Sequence, residues 1–407
     1  MNSDSNALSG NASVSILYKM HSRLTEDSLS KMATVFLLLA FLAPLAYSAP
    51  QCKNHAGKDV EWYVIYKLPK TKPYAESTYI PDGGEMAYVD STMKDAKGWI
   101  LLKASVYDVK GNPVAETLGD LFTGSAPKDS LYAVYSDQPP EPYTGSAKGH
   151  TKGVVQFNKD KGFWLVHSVP RFPFNVTSKT YEYPESGRNN GQVFMCTSFK
   201  GNQLPKVALA LRHQYPYIYE SGAPEELLKD DDVINMMDKK FLRKPSTPVL
   251  TDTLIGSKGT EFTSFAKHQS LNDEIYANVI APHLGANLIV ETWRNGAGGK
   301  LDATCPIRGH HVTNMANVII KFANGKQSVF TTTEDHAKWA VSADPKKPWF
   351  CAGSLNRMLS QYTRGGQTTC IQNKLLHKLF TDSVEKCQVC EGENEEKRYC
   401  KIKVTDE

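Results

Sequence analysis

The sequence has little that would anchor the chain in a membrane or bind a metal. After residue 48, no apolar run approaches the roughly 20 residues that a membrane-spanning helix needs. The one C-x-x-C pair, Cys387 and Cys390, has no second C-x-x-C to complete a zinc site. Low-complexity tracts are also missing, and the apolar fraction of 41% is typical of a globular protein. These absences argue against a membrane-spanning mature protein, a structural zinc domain and a disordered chain.

One apolar run does occur near the start of the chain, ATVFLLLAFLAPLAYS at residues 33–48. It is too short to span a bilayer comfortably and ends in small residues, so we expect a secretory signal peptide that is cleaved after Ser48. A membrane anchor is the alternative reading, and Met32 is an alternative start to Met1. We therefore assign residues 1–48 to a leader that is removed, and we expect no membrane segment in the mature form.

The cysteines and a glycosylation motif agree with passage through the secretory pathway. All eight cysteines follow residue 48, and an even number in an oxidising compartment predicts up to four disulfides. Asn175-Val176-Thr177 is an acceptor for N-linked glycosylation. The net charge of +4 with neutral histidines is a weak signal, but protonation of histidines in an acidic compartment would increase the attraction to a polyanion.

Strand-like and helix-like segments alternate along the chain, which predicts an α/β or mixed α+β fold. The predicted strands are 60–66, 99–106, 130–135, 153–157, 163–168, 192–198, 286–293, 312–322, 328–333 and 339–342. Helical spacing predicts helices at 224–240, 263–284 and 372–387.

The length of 407 residues allows two domains or one duplicated fold. The acidic run Lys229–Asp232 lies close to the turn-forming residues Gly222-Ala223-Pro224 and is a plausible linker. We therefore divide the mature chain into an N-terminal half at 49–225 and a C-terminal half at 226–407.

An internal repeat relates the two halves. The segment HTKGVVQFNKDKGFWLVHSVPRF, from His150, aligns without a gap with HAKWAVSADPKKPWFCAGSLNRM, from His336. At a constant offset of 186 residues the matched pairs are His150 with His336, Lys152 with Lys338, Ser168 with Ser354, and Arg171 with Arg357. Four matches at one offset favour duplication over chance.

Each repeat places a His-x-Lys at the entrance to a strand. Because positions i and i+2 of a strand project to the same face, each copy presents an imidazole beside an ammonium group. A phosphodiester between two such copies would meet two cations, one imidazole that can attack phosphorus and one that can protonate the leaving oxygen. A single His-x-Lys more often marks a solvated strand face than a site, but the paired repeat reverses this preference and favours one shared site. This chemistry requires no metal and no cofactor.

The second copy resembles the HKD-type signature of the phospholipase D superfamily. The resemblance is carried by His336, Lys338, Gly353, Ser354 and Asn356. Asp344 lies one residue later than the aspartate of that signature. The first copy departs further, because His167-Ser168 replaces Gly-Ser and Pro170 stands in place of the Asn.

These departures match the deoxyribonuclease II family, which the chain resembles along nearly all of residues 52–390. The matching segments are VEWYVIYKLP, YSDQPP, GHTKGV, GFWLVHSVPRFP, SFAKH, LGANLIVETW and DHAKWAVS. The resemblance implies two phospholipase D-like halves that form a pseudo-dimer with the active site at their interface. It also implies an acid-active, metal-independent endonuclease that cuts DNA to leave 3′-phosphate ends, in lysosomes or in secretions. Whether the protein is a monomer or a homodimer stays open.

The resemblance also assigns roles to individual residues. It places the catalytic histidines at His150, His167 and His336 and the phosphate ligands at Lys152 and Lys338. Ser354 and Asn356 become phosphate-binding or supporting residues of the second copy. The family's cysteine pattern implies the disulfides Cys52–Cys196, Cys351–Cys370 and Cys305–Cys387, which leaves Cys390 with Cys400.

Our mechanistic hypothesis is that His150 attacks phosphorus to form a phosphohistidine while protonated His336 protonates the 5′-oxygen. Repulsion from Lys152 and Lys338 should depress the pKa of the acid, so that activity requires low pH. The near equivalence of the two copies leaves the reverse order open, and His167 is either a third catalytic group or an orienting one.

Two other functions remain open from the sequence. A phospholipase D-type phosphodiesterase acting on lipid would keep both His-x-Lys pairs. A catalytically weakened, secreted DNA-binding relative would keep the fold alone.

Overall fold

Two large β-sheets dominate the computed structural model of the chain. The structure describes residues 49–124, 127–141, 148–176, 178, 180–306 and 308–388. The expected leader at 1–48, Thr177 of the glycosylation motif and the expected Cys390–Cys400 bridge lie outside these residues.

The first sheet has eight strands, and all its pairings are antiparallel. Their order across the sheet is β3-β2-β1-β7-β6-β5-β4-β8. The strands are β1 (Trp62–Lys67), β2 (Met86–Asp90), β3 (Ile100–Leu101), β4 (Leu131–Ser136), β5 (Lys152–Phe157), β6 (Lys161–His167), β7 (Gln192–Lys200) and β8 (Ile218–Gly222).

The second sheet has nine strands within the described ranges. Eight follow the order β13-β12-β11-β14-β15-β16-β10-β9, and β17 pairs with β12. The strands are β9 (Val249–Ile255), β10 (Glu261–Lys267), β11 (Leu288–Glu291), β12 (Val312–Lys321), β13 (Gln327–Thr331), β14 (Trp339–Ser342), β15 (Trp349–Gly353), β16 (Gly366–Gln372) and β17 (Val384–Cys387). The β11–β12 pairing is parallel.

Five short α-helices accompany the sheets in the described part of the chain: α1 (Pro113–Leu118), α2 (Leu204–Gln214), α3 (Asp231–Met237), α4 (Ala281–Leu284) and α5 (Lys374–Thr381). A π-helical turn at Tyr276–Ile280 leads directly into α4. The predicted mixture of helices and strands is therefore confirmed.

The predicted helix 263–284 was wrong over its first part, which is strand β10. Phe262 belongs to the core on one face of this strand and Phe265 to the core on the other. A strand that is buried on both faces can show the same apolar spacing as a helix, so the periodicity did not distinguish the two. Pairing with β9 and β16 on either side decides in favour of the strand.

Three further boundaries differ from the prediction because local polar groups end or start the element. The predicted strand 99–106 stops after Leu101, and a turn follows in which the Ser105 N–H donates to Asp108. The predicted helix 224–240 is reduced to α3, whose first turn is capped by the Asp230 side chain. The predicted helix 372–387 ends at Thr381, and its last residues form β17.

One hydrophobic core contains side chains from both sheets. Along β1, Trp62, Val64 and Tyr66 belong to this shared core, whereas Tyr63 and Ile65 pack in a separate core on the other face of the first sheet. A third core is formed by residues of the second sheet and its neighbouring segments. Since strand side chains alternate between faces, β1 is buried on both sides and reads as a continuous apolar run.

The described cysteines are all disulfide-bonded. Cys52 is bonded to Cys196 and Cys351 to Cys370, as the family resemblance implied. Cys305 and Cys387 are also disulfide-bonded. Their pairing with one another stays a prediction.

Candidate active site

The two His-x-Lys segments lie at the entrances to corresponding strands of the two sheets. His150 precedes β5, which begins at Lys152, and His336 and Lys338 precede β14. The charges of Lys152 and His150 lower the pKa of His336, after the larger effects of burial and Lys338. Lys338 in turn lowers the pKa of His150. The four predicted residues are therefore close enough to interact electrostatically, as one site requires.

Each histidine is held by a backbone hydrogen bond to the opposite sheet. The His150 N–H donates to the Gly365 carbonyl at 2.8 Å, directly before β16. The His336 N–H donates to the Gly191 carbonyl at 2.8 Å, directly before β7. The exchange is reciprocal, so the position of each histidine depends on a loop of the other sheet.

Two buried lysines, which the sequence analysis did not identify as site residues, fix these loops. Lys67 ends β1 and donates from Nζ to the Gly187 carbonyl at 2.6 Å. Lys267 ends β10 and donates to the carbonyls of Tyr362 at 2.6 Å and Arg364 at 2.7 Å. Both side chains are fully buried, and burial lowers the pKa of Lys67 to about 7 and of Lys267 to about 8. The sequence did contain a signal for these two residues, because each is a lysine at the end of a strand that is largely buried.

The imidazole rings have different hydrogen-bond partners. Nδ1 of His150 lies 2.6 Å from the side-chain oxygen of Gln361. Nδ1 of His336 lies 2.8 Å from the backbone carbonyl oxygen of Ser168, and the ring packs edge-on against Trp293 with centroids 5.4 Å apart. Burial, followed by the neighbouring cations, holds the pKa of both histidines well below its usual range.

Asp137 is the main site residue that the sequence analysis missed, although it lies in the quoted segment YSDQPP. Its carboxylate binds Lys152 Nζ at 2.5 Å and Arg364 at 3.0 Å, and it lies 4.0 Å from His150 Nε2. Burial raises the pKa of Asp137, but the charges of Lys152, His150 and Arg364 outweigh burial and hold it well below its usual range. The group is therefore a permanent anion at the first His-x-Lys.

Lys338 has a different environment from Lys152. Its Nζ donates to the His336 carbonyl at 2.5 Å. Burial and then the charge of Lys152 lower its pKa well below the usual range. Three carboxyls, Asp335, Asp137 and Glu291, partly offset this effect, and burial raises the pKa of Asp335 to about 6. The hydroxyl of Tyr66 donates to Asp335.

His167 is buried beside the separate core on the other face of the first sheet, the core that contains Tyr63 and Ile65. Its ring contacts Phe172 and Phe194, with centroid distances of 5.2 and 5.8 Å. Burial, followed by the charge of Lys152, lowers its pKa to about 3. The next residue, Ser168, accepts the His336 Nδ1–H bond through its carbonyl. His167 is thus placed to act on His336 through the backbone.

Ser168 and Ser354 occupy equivalent positions, as the repeat predicts. The Ser168 N–H donates to the Val193 carbonyl, and the Val193 N–H donates to Ser168 Oγ at 3.0 Å. Ser354 and Gln367 make the same two bonds, each at 2.9 Å. Both serines therefore tie the second strand of a repeat to the following one, which favours a supporting role for Ser354.

The remaining matched positions have diverged. Asn356 is buried, and its Oδ1 has no hydrogen-bond partner among the described residues. Arg357 is also buried and donates to Asn314 and Thr304, whereas its counterpart Arg171 is exposed. The Asn356 side chain therefore retains an unused acceptor for a ligand or a water.

The described ranges contain no group of three or more His, Cys, Asp or Glu side chains arranged to hold a metal ion. Within the same ranges, no helix is long and apolar enough to cross a membrane.

Two imidazoles and two ammonium groups, held by loops of two sheets, form a site that can bind a phosphodiester anion and supply both a nucleophile and an acid. This set of side chains has the chemistry that a phosphodiesterase needs. Residues 51–390 match the model of the family Deoxyribonuclease II. The chain belongs to the deoxyribonuclease II family, a family of nuclease hydrolases, which confirms the resemblance inferred from the motifs.

Three relatives illustrate the extent of the similarity. The chain is 34% identical to Deoxyribonuclease-2 of Caenorhabditis elegans over 376 residues, 86% of this chain and 96% of that protein. It is 34% identical to Plancitoxin-1 of Acanthaster planci over 348 residues, 84% of this chain and 93% of that protein. It is 32% identical to Deoxyribonuclease-2-beta of Homo sapiens over 381 residues, 91% of this chain and 99% of that protein. The similarity therefore extends over nearly the whole of each relative.

Proposed function

We propose that this chain is an acid endodeoxyribonuclease that hydrolyses DNA without a metal ion and leaves 3′-phosphate ends through a phosphohistidine intermediate. The observation that carries the proposal is the convergence of His150, Lys152, His336 and Lys338 at the junction of the two sheets. The family membership and the deoxyribonuclease names of the relatives support DNA as the substrate.

We also propose that the two sheets are duplicated phospholipase D-like halves, with the boundary near residues 225–226 and the site at their interface. The reciprocal bonds of His150 and His336 support this proposal, as do the equivalent bonds of Ser168 and Ser354. Lys67 and Lys267, each ending a strand and holding a loop of its own half, add a third correspondence.

The proposed reaction uses the charges of the site directly. Lys152 and Lys338 would bind the non-bridging phosphate oxygens and offset their negative charge. One imidazole would attack phosphorus through Nε2, and the other would donate a proton to the departing 5′-oxygen. His167 and Ser354 would orient these groups, and the Asn356 side chain would contact the phosphate.

Acid activity follows from the depressed pKa of the histidines. Burial and the neighbouring lysines favour the neutral rings, so the acid histidine becomes protonated only below the usual histidine pKa of about 6.5. The fraction of enzyme with one protonated and one neutral histidine therefore increases as the pH falls below 6.5, up to the midpoint between the two histidine pKa values. This pH dependence would suit an enzyme of lysosomes or acidic secretions, which we propose as its location.

The test is cleavage of plasmid DNA by the purified chain at acidic pH in excess chelator. We expect endonucleolytic cleavage with 3′-phosphate ends, and we expect His150→Ala or His336→Ala to reduce the rate by about 100- to 10,000-fold. The exposed His283 provides a matched control, because His283→Ala should cleave like the unmodified chain. Absence of cleavage by the unmodified chain would refute the proposal. Hydrolysis of phosphatidylcholine vesicles instead would indicate a lipid phosphodiesterase.

A further inference from the structure

An exposed leucine lies in the loop that leads from β15 to β16. Among the residues that the structure describes, three large apolar side chains are more than half exposed: Ile80, Val109 and Leu359. Ile80 lies between β1 and β2, and Val109 lies between β3 and α1. Leu359 begins a 3-10 turn that ends at Gln361. A single exposed leucine is ordinary on a protein surface, so its meaning depends on its surroundings.

The turn that begins at Leu359 is joined directly to the first histidine. The Tyr362 N–H donates to the Leu359 carbonyl at 3.0 Å and closes the turn. Gln361, in the same turn, binds Nδ1 of His150 through its side-chain oxygen at 2.6 Å. The buried Lys267 holds the end of the turn by donating to the Tyr362 carbonyl at 2.6 Å. The exposed leucine is therefore fixed in place within one turn of the residue that holds His150.

Leu359 is also joined to the segment that leads to the second histidine. Its N–H donates to the Gly299 carbonyl at 2.8 Å. Gly299 has a φ of +75°, and a Cβ atom there would lie 2.9 Å from the Leu359 side chain, so this close approach requires glycine. The segment that contains Gly299 follows Trp293, whose ring packs against His336. Leu359 thus lies where the segments from the two histidines meet.

The reactive groups themselves are recessed. His150 is 6% exposed, Lys152 is 4% exposed and Lys338 is 1% exposed. The phosphates of a straight duplex lie on a smooth convex surface, so a recessed site reaches one of them more easily when the DNA bends toward it. Bending costs free energy, and many proteins offset this cost by inserting an apolar side chain such as leucine between adjacent base pairs from the minor groove.

We propose that Leu359 is a wedge that inserts between base pairs beside the scissile phosphate, so that the duplex bends and the phosphate enters the recess. The exposed Lys300 is paired through its backbone with Met358, the residue before Leu359, and adds a cation for a neighbouring phosphate. The inference rests on the proposed function and deepens it, because it names stacked, double-helical DNA as the form of substrate that this surface fits.

The first experiment compares two substrates on the purified full chain at acidic pH in excess chelator. One is an end-labelled, fully paired duplex, and the other carries a tandem mismatch at the cleaved step, where unstacking costs less. We expect Leu359→Ser to lose about 10- to 100-fold in kcat/KM on the paired duplex and much less at the mismatch. Leu359→Met should retain most of the rate on both substrates, because its side chain has a similar volume.

Val109→Ser is the matched control, because Val109 is exposed to the same extent as Leu359 but lies in a loop of the first half. It should cleave both substrates like the unmodified chain. The unmodified chain should also cut preferentially near pyrimidine–purine steps, which open most easily, and Leu359→Ser should change this preference.

The second experiment detects the insertion itself. The fluorescence of 2-aminopurine in a duplex increases when the base is unstacked from its neighbours. We expect the duplex to become more fluorescent when it is saturated with the full chain carrying His336→Asn, which binds without cleaving. Most of this increase should be lost with His336→Asn/Leu359→Ser.

Equal losses on the paired and mismatched duplexes, or unchanged rates on both, would overturn the wedge and leave the nuclease proposal intact. The same fluorescence increase with and without Leu359 would also overturn it. Two further results would assign the leucine to another partner and contradict the proposal. With cleavage unchanged in Leu359→Ser, a smaller sedimentation coefficient would indicate a second copy of the chain, and lost binding to phosphatidylcholine vesicles would indicate a lipid surface. An unmodified chain that cleaves neither duplex would instead refute the proposed function.

Discussion

At the residue scale, the site brings several positively charged side chains together, and the nearby carboxylates offset their charge only in part. Lys152 shares Asp137 with Arg364, whereas the Lys338 ammonium donates to the backbone carbonyl of its own repeat. The carboxyls of Asp335, Asp137 and Glu291 act on Lys338 but offset the effects of burial and Lys152 only in part, so a phosphodiester would add negative charge on this side. The site is arranged to gain electrostatic stabilisation when an anion binds.

His167 supplies a test of how burial couples histidine to stability. Its pKa is about 3 in the folded chain, against about 6.5 in the unfolded chain. Below pH 6.5 the unfolded state binds a proton that the folded state does not, so stability decreases as the pH falls toward 3. At about 1.4 kcal/mol per pH unit, this histidine alone should remove roughly 3 kcal/mol at pH 4.5.

We therefore expect His167→Leu to lose about 3 kcal/mol less stability than the unmodified chain between pH 7.5 and pH 4.5. The measurement is the free energy of unfolding in urea at the two pH values. His283→Leu, at an exposed position, is the control. The same pH dependence in His167→Leu and the unmodified chain would contradict the assigned environment.

The repeat in the sequence was sufficient to find His150, Lys152, His336 and Lys338, because those residues are retained in both copies. Asp137 was not found in this way, because Trp293 stands at its counterpart. An alignment of the two repeats identifies only the residues that both halves have in common. The difference that sets the two histidines apart became visible only when the register of the neighbouring strands was known.

At the scale of elements, the loops before β7 and β16 are the parts that bring the halves of the site together. Each loop is fixed from within its own sheet by a buried lysine and offers a carbonyl to the histidine of the other sheet. The geometry of the site thus depends on close backbone approach at these loops.

Gly365 tests this dependence. A Cβ atom at Gly365 would lie 2.1 Å from the backbone oxygen of Gln214, so the loop must move to admit it. We expect Gly365→Ala to reduce activity by about 100-fold and stability by roughly 1–3 kcal/mol, because the bond to the His150 N–H is displaced. Rates of DNA cleavage and urea unfolding curves measure the two effects.

Gly119 is the matched control for this substitution. It lies at the end of α1 with helical dihedral angles, and a Cβ atom there would be at 3.4 Å from its nearest neighbour. Gly119→Ala should therefore leave activity unchanged. Normal activity in Gly365→Ala would show that the loop does not position His150.

Strands were predicted better than helices. The strands at 339–342 and 192–198 were close to β14 and β7, because β-branched and aromatic residues are bounded there by turn-forming residues. The predicted helix 263–284 failed where β10 is buried on both faces. A pattern along one segment does not contain the partner strands that decide between the two structures.

At the scale of the whole molecule, the two disulfides with defined partners close loops of very different length. Cys52 and Cys196 are 144 residues apart, whereas Cys351 and Cys370 are 19 apart on adjacent strands. A cross-link that closes a longer loop removes more entropy from the unfolded chain, by a chain-entropy estimate about 5 kcal/mol for the first and about 3 kcal/mol for the second.

We therefore expect Cys52→Ser/Cys196→Ser to lower the free energy of unfolding by about 2 kcal/mol more than Cys351→Ser/Cys370→Ser. Urea unfolding of both double variants at one pH measures the difference. The bridges are both buried, which makes the variants comparable. An equal or reversed order would show that the native packing around the bridges outweighs loop closure.

The sequence by itself determined the mixed α/β class, the duplicated His-x-Lys segments and the membership of a nuclease family, because these depend on residue types at fixed spacing. Only the tertiary structure decided which groups surround each histidine. Asp137, Trp293 and Gln361 come from other strands and loops, and their contacts depend on sheet register. The two repeats have similar sequences, but their histidines have different surroundings in the folded chain. The reason is that the charged groups around each ring come from residues outside the repeat.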